Sequence, residues 1–142
     1  MNKKSYYAIF AIDVIVCLLC VAYMITFKLV LEPYAKTYFV FIFTYLQGRI
    51  VRPLFYLAVS AIIAELILGK RNIWWKKEIA RTVRALMLVI IFCYFLIAIL
   101  SYIGMENAFL AKYGMFLLEY PCVFCIPGAI LGASFVLEYK MI

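Results

Sequence analysis

Long apolar runs separated by short clusters of charge set the pattern of this chain. The first run, residues 6–27, contains one charged side chain, Asp13. Residues 37–46 (TYFVFIFTYL) are also apolar, but this run of ten covers only about 15 Å as a helix, too little to cross a bilayer whose hydrocarbon is about 30 Å thick. QGRIVRP then interrupts the pattern. Proline suits the first turn of a helix and disfavours helix at the residue before it, so Pro53 is predicted to open a helix that runs to Gly69. Residues 85–103 form an uncharged run, and residues 114–137 form the last. Together these predict an all-α, polytopic membrane protein. It has four transmembrane helices over residues 6–27, 53–69, 85–103 and 114–137, and residues 37–46 form a short interfacial or re-entrant segment. The whole chain, 1–142, reads as one integral membrane domain. A rival arrangement lets residues 37–52 cross as well, making five spans.

Composition strengthens the membrane reading. Apolar residues make up 70% of the chain and charged residues 15%, whereas soluble domains are roughly half apolar and a quarter charged. The formal charge of +7 comes from basic residues at the ends of apolar runs, where they orient spans and meet lipid phosphates. That placement argues against a nucleic-acid partner. Residues 69–84 carry Lys70, Arg71, Lys76, Lys77, Arg81 and Arg84 against one acid, Glu78. The positive-inside rule puts this loop, Lys3, Lys4 and both termini in the cytoplasm of a cell-membrane protein. Lys70, Arg71, Lys76 and Lys77 are the expected contacts to anionic inner-leaflet phosphates, with Trp74 and Trp75 in the headgroup zone. The first run lacks a small-x-small cleavage site, so it reads as an uncleaved span.

Histidine is absent, which removes the commonest general base and metal ligand. No phosphate-binding loop is present, and no cofactor is expected. Three acids lie inside apolar runs. Asp13 and Glu65 fall at similar depth, about 10 Å and about 6 Å from the inner end of their spans at the helical rise per residue. Arg84, with Arg81 as alternate, enters the third span from the same side, giving an inner polar cluster of Asp13, Glu65, Arg81 and Arg84. A charge in lipid is costly and faces the bundle interior. The cluster is therefore either a proton or cation site or a structural element that fixes helix order. Glu119 falls about 8 Å inside the outer end of the last span, with Lys28, Arg49 and Arg52 as candidate partners. Pro121 beside it is expected to kink that span and free backbone carbonyls.

The five cysteines, Cys17, Cys20, Cys93, Cys122 and Cys125, all sit in apolar runs, unlike the loop-borne disulfide framework of a small secreted domain. Cys17 with Cys20, and Cys122 with Cys125, are three apart and share a helical face. Counted along straight helices, both pairs fall near mid-bilayer, where an apolar setting keeps thiols inert; no metal site is expected. PCVFCI, residues 121–126, resembles the Pro-Cys-x-x-Cys start of a membrane helix in the bacterial quinone-linked disulfide oxidases. That resemblance implies thiol redox chemistry at Cys122 and Cys125. The chain departs from the family at Ile126, Pro127 and Gly128, which stand where charged residues would follow, and its outer loops lack the second cysteine pair. Residues 66–86, LILGKRNIWWKKEIARTVRAL, resemble the cytoplasmic loop of small four-helix membrane proteins of Gram-positive bacteria, a resemblance that implies no particular chemistry.

Gly128 and Gly132 make a G-x-x-x-G, with Ser60 and Ala64 as a weaker small-residue pair. Such spacing lets helix backbones approach in lipid, within the monomer, in a homo-oligomer or against a partner membrane subunit. The leading functional expectation is a non-enzymatic transporter-like, channel-like or accessory subunit. The alternatives are a thiol-disulfide oxidoreductase using Cys122 and Cys125, and a structural or regulatory bundle that binds a partner.

Overall fold

The structure, a computed structural model, describes residues 3–31, 43–69, 76–103 and 119–140. Every element among them is helical. Helix α1, Lys3–Thr26, ends in a π-helical turn, Phe27–Leu31. A second π-helical turn, Gln47–Val51, leads into α2, Arg52–Gly69. Helix α3 is Lys77–Tyr102, and a 3-10 turn, Pro121–Phe124, opens α4, Cys125–Lys140. Three helical stretches are long and apolar enough to cross a membrane: Lys4–Val30, Phe43–Gly69 and Glu78–Tyr102. The apolar part of the fourth, Pro121–Val136, is shorter. Large apolar side chains point outward, Leu19 at 65% and Phe92 at 67% exposure. Water would penalise that surface and lipid does not, so the helical bundle has the outer surface that suits a membrane.

Pro53 does not open the second helix. The backbone is helical from residue 43 through the proline to Gly69. This corrects the expected boundary at 53, assigns residues 43–46 to the same helix instead of an interfacial segment, and removes the five-span arrangement. Residues 37–42 lie outside the described part. The physical reason lies in how the proline is accommodated. Proline lacks an N–H and its ring crowds the carbonyl four residues back, here that of Arg49. The π turn just before it, in which the Arg52 N–H bonds to the Gln47 carbonyl, widens the helix at that point. The Arg49 carbonyl then accepts a hydrogen bond from Tyr94 Oη of α3 at 3.1 Å. One turn away, Tyr45 Oη donates to the Ala98 carbonyl of α3 at 2.7 Å. The two tyrosines clasp α2 and α3 from opposite sides, which fixes the helices as antiparallel neighbours.

Tyr94→Phe is expected to destabilise the bundle by about 1 kcal/mol, the net worth of one buried hydrogen bond. In a Pro53→Ala background the Arg49 carbonyl regains a backbone donor, so the same change should cost much less. A double-mutant cycle of denaturant unfolding in detergent reads this coupling, and equal costs in both backgrounds would disprove the link.

Helix α1 packs antiparallel to α2, tied by Tyr23 Oη donating to the Phe43 carbonyl at 2.9 Å. Helix α4 runs parallel to α2, because Gly128 lies over Leu57 and Ser60 while Gly132, four residues on, lies over Ala61. Tyr94 and Phe124 meet at 4.8 Å between ring centroids and join α3 to the start of α4. The helix is interrupted at Pro121, where the sequence places a kink, with Glu119 helical on the other side of the interruption. Tyr120 is non-helical, with φ −122° and ψ 64°, and Pro121 starts the 3-10 turn. Pro121 and Pro127 both fall near the beginning of the helical segment, where missing N–H groups cost least.

Candidate functional site

Three constellations carry polar chemistry among the described residues. The first is the carboxyl pair. Asp13 on α1 and Glu65 on α2 face each other where the two helices cross, and each carboxyl is the other's interacting neighbour. Glu65 is 1% exposed and Asp13 is half-buried. Neither Glu65 oxygen meets a donor with hydrogen-bond geometry. Two ionised carboxylates offer only acceptors to each other, so they bond only when one carries a proton. Arg84 stands elsewhere, its guanidinium 4.9 Å from the centroid of Phe135 on α4, a cation-π contact. Arg81 is exposed on α3. Of the four residues grouped from the sequence, the geometry brings Asp13 and Glu65 into direct interaction.

The second is the cysteine-bearing start of α4. All five cysteines are free thiols. Cys122 is exposed on the 3-10 turn and Cys125 is half-buried, its Sγ 3.9 Å from the Tyr56 carbonyl. Because α4 runs parallel to α2, Cys122 lies near the level of Arg52 and Pro53, well inside the helical stretch Phe43–Gly69. Cys20 is buried and Cys17 half-buried in α1, and among the described residues no three of His, Cys, Asp or Glu gather as metal ligands would. Glu119 is exposed, two residues before the turn.

The third constellation was not anticipated. A cavity of about 350 Å³ lies at the π turn of the second helix, lined by Phe27, Thr44, Tyr45, Gln47, Arg49 and Arg52, with Gly48 between them. The polar QGRIVRP stretch signalled it, but that stretch looked like a helix break. The tyrosines that hold the helices together also went unread, although a phenol in an apolar span needs an acceptor.

Gly128 and Gly132 both face α2 of the same chain. A Cβ at Gly128 would fall 2.6 Å from the Leu57 carbonyl oxygen and collide with Ser60 Oγ, and one at Gly132 would fall 2.5 Å from the Ala61 carbonyl oxygen. Lys70, Arg71, Trp74 and Trp75 lie outside the described residues. Lys76 is exposed just before α3, whose first residue is Lys77.

No family model, no curated protein and no solved structure matches this chain.

Proposed function

We propose that this protein is a small membrane transport subunit whose ion-carrying group is the Asp13–Glu65 carboxyl pair. One observation carries the reading: a carboxyl that is 1% exposed, in an apolar helix, with both oxygens lacking a donor. A residue kept only to lock helices together would find an arginine, an amide or a hydroxyl, because an unsatisfied buried polar group costs about 1–3 kcal/mol. A pair of acceptors is instead suited to gain and lose a proton. With the proton bound, the two carboxyls share a hydrogen bond and one negative charge is removed from the bilayer interior. With the proton released, repulsion between the carboxylates pushes α1 from α2. Half-buried Asp13 is the member of the pair that exchanges with the surroundings. Proton occupancy is thereby coupled to the α1–α2 contact, the coupling that a transporter needs.

The remaining architecture supports the same reading. Four helices with alternating direction, both termini cytoplasmic, would place the pair in the inner half of the membrane and the tyrosine clasp in the outer half. Proteoliposomes carrying an imposed pH gradient and an interior pH dye provide the test. Wild-type protein is expected to dissipate the gradient. Asp13→Asn should slow that flux about 100-fold or more, the usual scale for losing a proton-transfer group. Equal rates for the two proteins, or for wild-type protein and empty liposomes, would overturn the proposal.

The exposed Cys122 favours a second reading, thiol-disulfide exchange at the start of α4. A membrane-impermeant maleimide is expected to label Cys122 in intact vesicles much faster than buried Cys20. If Cys122 and Cys125 cycle as a disulfide, labelling should rise after reduction; labelling that ignores reductant removes this reading.

A further inference from the structure

The cavity at the π turn sits apart from the carboxyl pair, at the end of the bundle where α1 finishes and α2 begins. Its lining combines three features that seldom occur together inside an apolar protein. Arg49 and Arg52 both line it, and arginine favours an anion and suits the planar, two-pronged recognition of phosphate oxygens. Gln47 is 7% exposed, and its Oε1 is buried without a hydrogen-bond donor. Phe27 and Tyr45 supply apolar walls. The volume, about 350 Å³, falls in the range of small-molecule sites, about 300–1,000 Å³.

These features narrow the ligand. Positive charge in the lining favours a negative group. The Gln47 oxygen calls for a donor, and a buried acceptor left without one is costly. An ammonium group would satisfy Gln47 but would be repelled by two guanidiniums in the same cavity, whereas a neutral hydroxyl donates without that penalty. The location fits as well. Tyr45 and Tyr102 pack at 5.1 Å between ring centroids beside the cavity, and tyrosines mark the headgroup zone of a membrane protein. The π turn accommodates Pro53 and also distinguishes this stretch from a regular helix, and such turns recur at functional sites.

We propose that this cavity binds a phosphate ester bearing a hydroxyl close to the phosphate, with the phosphate on Arg49 and Arg52 and the hydroxyl on Gln47 Oε1. A phosphatidylglycerol headgroup and soluble glycerol phosphate share this chemistry. The occupant's phosphate neutralises part of the positive charge at this end of the bundle, and its hydroxyl completes the hydrogen bonding of Gln47.

Native mass spectrometry of the full chain released from detergent micelles tests the proposal. The probes are dioleoyl phosphatidylglycerol, dioleoyl phosphatidylcholine, dioleoyl phosphatidic acid and sn-glycerol 3-phosphate. Phosphatidylglycerol is expected to bind about tenfold more tightly than phosphatidylcholine, and Arg52→Gln should remove about tenfold of that affinity as one charged contact is lost. Arg52→Lys should retain most of it. Gln47→Leu should equalise phosphatidylglycerol and phosphatidic acid, because the hydroxyl loses its acceptor. Arg52 is exposed, so its variants retain the wild-type unfolding midpoint and report on binding. Arg52-sensitive binding of glycerol 3-phosphate comparable to that of the lipid would assign the soluble source, and binding of the lipid alone the membrane source. Indifference of phosphatidylglycerol binding to Arg52→Gln, equal binding of phosphatidylcholine, or no binding by any phosphate probe would overturn it.

Discussion

Gly132→Val is expected to separate α4 from α2 and to be among the most destabilising single substitutions in this chain. The atoms a side chain at 132 would meet are backbone: the Ala61 carbonyl oxygen at 2.5 Å and its Cα at 2.8 Å. A flexible side-chain tip can rotate away from a new methyl, but a helix backbone has to translate as a whole. Overpacking a close-fitted interior costs about 1–3 kcal/mol, and the upper end applies because three carbon atoms are added to a backbone contact. In lipid the penalty is not recovered elsewhere, since apolar surface gains little from leaving a helix interface for acyl chains. Denaturant unfolding in detergent micelles should show Gly132→Ala at an intermediate cost. Gly69→Ala supplies the control. A Cβ there has nothing within 4 Å, so its effect should stay within about 0.5 kcal/mol. Equal stability of the Gly132→Val and Gly69→Ala proteins would show that the α2–α4 contact is not close-packed.

Glu65→Leu is expected to do the opposite, stabilising the fold while abolishing proton flux. Leucine nearly matches the carboxylic side chain in volume and needs no hydrogen-bond partner. Replacing a buried carboxyl that faces another carboxyl and meets no donor in its ionised form should gain about 1–3 kcal/mol at a pH where the pair is ionised, the cost of leaving such a group unsatisfied. The same change removes the acid that gains and loses the proton. Opposite movement of the unfolding midpoint and the flux separates the transport role from a structural one. A structural carboxyl would leave the Glu65→Leu protein less stable, and that outcome would count against the transport reading. Glu65→Gln provides a second measurement: it retains polarity, gains donors toward Asp13, and should also lose flux.

The elements differ in how clearly the sequence announces them, and each difference has a physical cause. Residues 6–27 and 85–103 lie within the helices Lys4–Val30 and Glu78–Tyr102 because a long apolar run with at most one charge has one economical solution in lipid. All of its backbone hydrogen bonds must be satisfied within the segment. Residues 43–52 were harder. Gln47, Arg49, Arg52 and Pro53 are each poor company for a membrane helix by local rules, and local rules predict a break. The helix persists because Tyr94, 45 residues away in sequence, supplies the hydrogen bond that Pro53 withholds. No local rule contains that partner. The start of α4 is the easier case, because Pro121 announces its own interruption: Tyr120 leaves helical geometry and Pro121 starts a new turn.

For the candidate sites, sequence singled out Asp13 and Glu65 because acids in apolar runs are costly and rare. Their similar depth followed from the helical rise. It did not choose between arginine and carboxyl as Glu65's neighbour, since Arg84 was at reach on the same side. Packing decided that by laying Arg84 over Phe135 and turning α1 so that Asp13 met Glu65.

By itself, then, the amino-acid order determined the helical class, the long apolar stretches and the residues whose burial would be expensive, because those depend on composition and on spacing along one segment. The tertiary structure decided the partners. It set Gly128 and Gly132 against α2, carried the second helix through its proline, aligned Cys122 with Arg52, and gathered Gln47, Arg49 and Arg52 around a cavity. Partners depend on helix register and rotation. In lipid these are set by close contacts between small residues and by a few hydrogen bonds more than by the hydrophobic pattern, which is nearly uniform around α1, α2 and α4.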